Sequence, residues 1–80
     1  MAFFLLQHQH EPDECAVAFA AWHGFSSPLR HRHVRSSCLA GDHGLFWTVE
    51  AEDTGAALAL LPRYVAARTR VVQVRDVVVP

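Results

Sequence analysis

The run Phe3-Phe4-Leu5-Leu6 constrains this chain more than any other stretch. Successive side chains of an extended strand point to opposite faces, so Phe3 and Leu5 leave one side and Phe4 and Leu6 the other. A strand that is apolar on both faces belongs in the middle of a sheet, and each face then needs a cover. The strand, over about residues 2–10, turns polar at its end with His8 and His10, and Pro12 opens a helix directly afterwards.

Proline suits the first helical turn, and Asp13 and Glu14 set negative charge at the positive end of the helix dipole. Cys15, Ala18, Phe19 and Trp22 recur at helical spacing, which predicts a core stripe on a helix from about Pro12 to His23, stopped by Gly24. On that stripe Cys15 reads as a small buried hydrophobe rather than a ligand. Residues 25–33, FSSPLRHRH, carry no period and form a loop. A second strand follows at about 34–40, and Gly41-Asp42-His43-Gly44 is a tight-turn signature. In the third strand, LFWTVEA, the residues Leu45, Trp47, Val49 and Ala51 alternate toward the helices, and Phe46, Thr48 and Glu50 away from them. Asp53 or Thr54 caps a second helix with Ala57, Leu58, Leu61 and Val65 as its buried stripe, and Pro62 kinks or divides it. A valine-rich fourth strand covers about 70–79.

The predicted order is β-α-β-β-α-β in a single domain, residues 1–80. Two right-handed crossovers joined by one hairpin give an α+β fold of ferredoxin-like type. Its antiparallel sheet has the strand order 4-1-3-2, with two helices on one face. The other face is left bare, with Phe4 or its neighbour, Phe46, Val71 and Val77 exposed, and a homodimer through that face is expected.

Charge and composition narrow the partners. The formal net charge of −1 gives no reason to expect nucleic acid or an anionic membrane. Protonating all six histidines would carry that charge from −1 to +5, so solubility should respond to pH near their reference pKa of roughly 6.5. Cys15 and Cys38 are too few for a disulfide framework and read as free thiols. The apolar opening run is too short to span a membrane and has no basic residue before it, so neither a transmembrane segment nor a secretory signal is expected, and the predicted compartment is the cytoplasm. Lys, Asn and Ile are missing while Ala, Val and Arg abound, a bias expected of a GC-rich bacterial source.

The layout, together with the Val49–Val77 half that reads VEAED…ALALLP.YV…V.QV..V, resembles the dimeric α+β barrel superfamily, and within it small uncharacterised bacterial members. In that superfamily two ferredoxin-like domains pack sheet against sheet. The strand order also resembles that of a family of small nickel-binding bacterial domains. The reading of the residues favours a binding module for a transition metal or a small ligand; the alternative, which the resemblance implies, is a cofactor-independent enzyme of monooxygenase or isomerase type. Haem-degrading members have a strand-three tryptophan that Trp47 matches, but they also need a strand-one asparagine and a helix-two histidine. This chain contains no asparagine, and its second helix no histidine.

Topology gathers the chemistry. His8 and His10 leave the top of the first strand, Cys38 the top of the second, and the turn brings His43 beside them, with Glu11, Glu14, Cys15, Thr69 and Arg70 nearby. Alternate strand residues share a face, so His8 and His10 can meet one metal ion, with Cys38 or His43 as a further donor. Such a set suits zinc, nickel or copper. The alternative is a solvated strand end. The run Arg30-His31-Arg32-His33-Val34-Arg35 is expected at the opposite end, as a solvated loop, a phosphate or carboxylate site, or a rival metal site. Trp22 and Trp47 fall on the apolar parity of their elements and read as core. Glu50, with Phe46 on the same bare face, is the candidate polar group of a small-molecule cavity in a dimer, where a carboxylate can act as a general base; the alternative is a place at the rim, paired with an arginine. No serine or cysteine nucleophile with a base is evident, nor a glycine-rich phosphate loop.

Overall fold

In a computed structural model describing all 80 residues, four strands form one antiparallel sheet. They are β1 (Ala2–Gln9), β2 (Arg35–Ser36), β3 (Gly44–Ala51) and β4 (Thr69–Val74), in the spatial order β2-β3-β1-β4. Read from the other edge this is 4-1-3-2, with β1 inside, as its two apolar parities require. The register sets Phe4 opposite Val49, Leu6 opposite Trp47 and His8 opposite Leu45 on one face. Phe3 opposite Glu50, Leu5 opposite Thr48 and Gln7 opposite Phe46 occupy the other.

The first face carries the core. Phe4, Leu6, Leu45, Trp47, Val49 and Ala51 pack with Ala57, Leu61 and Val65 from the second helical region. That region is split as expected at Pro62, into α2 (Thr54–Leu58) and α3 (Arg63–Ala66), and the Asp53 carboxylate accepts from the Ala56 N–H at 2.7 Å to cap α2. The open face holds Phe3, Leu5, Phe46, Val72 and Val74 among Gln7, Thr48, Glu50 and Arg70, and Phe3 is 49% exposed there.

Several elements are shorter than the sequence predicts. The first helix is a 3-10 turn, Pro12–Glu14, running into α1, Cys15–Ala20, and continued by single turns to Gly24, whose φ of 76° ends it. Phe19 is 49% exposed, so the stripe that seals the core consists of Ala18, Ala21 and Trp22. The second strand keeps only two paired residues and then tightens into a 3-10 turn, Cys38–Ala40, because Ser37 closes a loop on Gly44 instead of continuing the ladder. The fourth strand stops at Val74, and Val77, Val78 and Val79 lie outside the sheet, without a strand to pair with. Register also corrects the bare-face set. Phe4 is buried in the core and Val71 packs against it opposite Leu6, while Phe3, Val72 and Val74 take the open side.

The basic run is not at the opposite end of the sheet. Arg35 pairs with Phe46, only two positions from the start of β3, so the loop enters at the histidine half. Arg30, His31 and Arg32 border a cavity shared with Leu45, the register partner of His8.

Candidate metal centre

Two corners of the fold supply the donors. One is the end of β1 and the start of α1, where His10 and Cys15 stand five residues apart. The other is the loop between β2 and β3, where Cys38 and His43 repeat the same separation in reverse order. One donor atom from each of these four residues lies within 4.8 Å of all the others. His10 Nε2 is 3.2 Å from Cys15 Sγ and 3.6 Å from Cys38 Sγ, and Cys15 Sγ is 3.2 Å from His43 Nδ1. Bonds of about 2.3 Å to sulfur and 2.0–2.1 Å to nitrogen give a tetrahedron with edges of about 3.3–3.8 Å. The cluster therefore has the dimensions and donor chemistry to hold a metal ion.

Local structure holds both corners. The Glu14 carboxylate accepts from the Glu11 N–H at 2.9 Å, and from the Tyr64 hydroxyl at 2.5 Å. Arg68 adds an ion pair to the same carboxylate at 3.6 Å and lies 3.7 Å over the Tyr64 ring, so α3 holds the turn that carries Cys15. The Tyr64 hydroxyl, chiefly, together with the Glu11 N–H and Arg68, keeps the Glu14 carboxyl below its usual pKa, and the same bond to Glu14 with partial burial pushes Tyr64 up. In the second corner the Ser37 N–H donates to the Gly44 carbonyl at 2.9 Å, and the Gly44 N–H donates to the Ser37 hydroxyl at 2.8 Å. A side chain at Gly44 would meet that hydroxyl at 2.9 Å. His43 takes a left-handed backbone, φ 57°, at a cost of roughly 1–2 kcal/mol for a residue with a Cβ. The His10 N–H donates to the His43 carbonyl at 3.1 Å, and the Gln9 side-chain amide donates to the Asp42 carbonyl, so the strained turn is tied to the end of β1.

His8 stands behind His10. Its Nδ1 is 3.2 Å from the Val65 carbonyl, which can only accept, so Nδ1 carries the proton and Nε2 the lone pair. That lone pair accepts from His10 Nδ1–H at 3.0 Å, which leaves the lone pair of His10 Nε2 turned toward the two sulfurs. The Thr69 hydroxyl donates to the same Val65 carbonyl at 2.6 Å. Burial pushes the His8 pKa down, offset in part by the bond to Val65, and so favours the neutral ring that this order of bonds needs. Burial, then the neighbouring Cys38, pushes the Cys15 thiol up.

Of the residues singled out in the sequence, His10, Cys38 and His43 share the cluster, and His8 touches it only through His10. Helical spacing puts Cys15 on the core stripe, yet its sulfur faces His10 and His43. The mirrored spacing, His10 with Cys15 and Cys38 with His43 across two chain corners, is the sequence signal that points to it. Glu50 and Phe46 lie on the open sheet face, across the sheet from the cluster, and Glu50 is exposed. No helix is long and apolar enough to cross a membrane.

Comparison with protein-family models, with curated proteins and with solved structures gives no match to this chain.

Proposed function

We propose that this domain is a transition-metal-binding module whose ligands are His10, Cys15, Cys38 and His43. The observation that carries the reading is the convergence of four donor atoms within 4.8 Å. Two thiolates and two imidazoles are a donor set that suits zinc above nickel or copper(II), which favour flatter geometries. Four protein donors complete the coordination sphere, which is the pattern of a closed, structural site rather than a catalytic one with an open position. His8 belongs to this reading as the residue that orients His10, a role filled by the hydrogen-bond partner of most metal-bound histidines. A site that needs two reduced thiols fits a reducing compartment such as the cytoplasm.

The strand order and the helices on one face support a ferredoxin-like fold, and the open apolar face supports a homodimer through it. Such a dimer encloses Phe46 and Glu50 between two sheets, the arrangement in which a dimeric-barrel enzyme would hold a small ligand.

Zinc titration of protein purified without an affinity tag, read by competition with a chelating dye, tests the metal reading. One equivalent per chain is expected, with strong loss in Cys15→Ser and Cys38→Ser. Affinity no tighter than millimolar, or unchanged in both variants, would reject it.

A further inference from the structure

The second strand is only two residues long, so β3 beyond Phe46 has no strand on its outer side. The loop after α1 lies beside Leu45 and Trp47, with Leu29 and Val34 packed against the core. Ser27 fastens the loop by donating to the Leu60 carbonyl at 2.7 Å and accepting from the Leu29 N–H at 3.1 Å. His31 then turns through a left-handed φ of 66°, which sets Arg30 and Arg32 along the rim of a cavity of about 300 Å³. Its apolar wall includes Phe19, Trp22, Leu29 and Trp47, and the two indoles lie 5.9 Å apart.

The charge in this cavity is one-sided. No acidic residue lines it, and the only ion pair of the chain joins Arg68 to Glu14, so neither rim guanidinium has a carboxylate partner. This is a local excess of positive charge on a chain whose formal net charge is −1. An apolar wall rich in aromatic rings accepts a hydrophobic body of one or two rings, and a guanidinium presents a planar fork that matches a carboxylate. The volume stands at the lower end of ordinary small-molecule sites.

We infer that this cavity binds a small aromatic monocarboxylate, its ring against Trp22 and Trp47 and its carboxylate on Arg30 and Arg32. The site is separate from the metal centre and uses none of its ligands. Selectivity comes from the pair of requirements together. A neutral ring of the same shape leaves the guanidiniums without a partner, and a bare anion leaves the apolar wall in contact with water.

The two tryptophans of the chain both line the cavity, so their fluorescence reports occupancy directly. The experiment titrates the full zinc-loaded chain with 3-phenylpropionate, 3-phenylpropan-1-ol and inorganic phosphate. A saturable change with the acid is expected, with the alcohol and phosphate each weaker by about tenfold or more, the equivalent of about 1.4 kcal/mol. Arg30→Gln combined with Arg32→Gln should bring the acid down to the level of the alcohol. Arg75→Gln, which alters net charge away from the cavity, should leave both unchanged. Equal binding of acid and alcohol, equal binding of phosphate, loss in Arg75→Gln matching that of the double variant, or no saturable change with the acid would each overturn the assignment. Repeating the titration on the metal-free chain separates the two sites, because failure of zinc binding leaves this result intact.

Discussion

His10 Nδ1 lies 3.0 Å from His8 Nε2, and the Val65 carbonyl behind His8 determines which of those two nitrogens carries the proton. A backbone carbonyl thereby sets the lone pair of a ring two residues further along the strand. His8→Ala breaks this series without removing a donor from the cluster. A fall in zinc affinity of about 10–100-fold is expected, the usual cost of losing a partner behind a metal-bound histidine. His10→Ala should lose more, and His8→Gln, which can both donate and accept, should recover part of the loss. Chelator competition on the three variants is the check. Equal losses in His8→Ala and His10→Ala would make His8 a ligand.

Zinc binding should release protons. Burial raises the Cys15 pKa, so at neutral pH the metal must displace a proton from that sulfur, and a second thiolate ligand brings a second proton because an ordinary thiol is protonated at pH 7. About two protons per zinc are expected near pH 7, and affinity should fall as pH falls. Calorimetry in buffers of different ionisation enthalpy counts them. Release of fewer than one would exclude two thiolate ligands.

The metal-free fold should weaken in mild acid through His8. Its pKa is lowered in the folded state, so below the reference value of about 6.5 the unfolded chain takes up the proton first. Stability is therefore unaffected by this group at higher pH and lost progressively as pH falls from about 6.5 toward the lower folded value. Thermal unfolding between about pH 8 and pH 5 should show the loss, and His8→Gln should flatten it. Glu14 acts in a lower window. Its depressed carboxyl pKa supplies stability above the ordinary value of 4.5 that is lost as pH falls through the folded one, and Tyr64→Phe should shrink that effect.

The open sheet face yields a test of assembly. Phe3, Leu5, Val72 and Val74 form its apolar centre, with Phe46 beside Gln7 in the register. Sedimentation at low micromolar concentration should give twice the chain mass, and Phe46→Asp or Leu5→Glu should shift it toward the monomer, since burying an unpaired charge is costly. A wild-type monomer would leave this face without a second copy.

Much of this architecture is legible in the residues. The apolar Phe3–Leu6 run places β1 inside the sheet, Asp53 and Pro62 mark the start and the break of the second helical region, and the alternation from Leu45 to Ala51 orients β3 correctly. What the pattern hides is where the backbone leaves the regular ladder. Ser37 and Gly44 bond to each other and end β2 after two residues, a tertiary closure that no periodicity encodes. The valines after Val74 have strand propensity but no neighbouring strand. Cys15 misleads for a related reason, because helical spacing gives the angle of a side chain about its axis and not what stands opposite. Here α1 begins against the histidine end of β1, so the first position of its inner stripe meets His10 and His43 instead of the apolar core.

The mirrored pairs also make any bound ion a cross-link. Cys15 and His43 are 28 residues apart, and a metal held by both would close that span as a clasp between the first helix and the β2–β3 loop. Only 14 of the 80 residues are buried, so the apolar interior alone leaves little reserve. Free metal would then become a thermodynamic variable of the fold: at a concentration a thousand times its dissociation constant, a ligand that binds only the native chain adds about 4.1 kcal/mol of stability. That is comparable to the whole stability of many small domains, and it would turn a loosely filled sheet-and-helix sandwich into a protein whose persistence follows the supply of its ion.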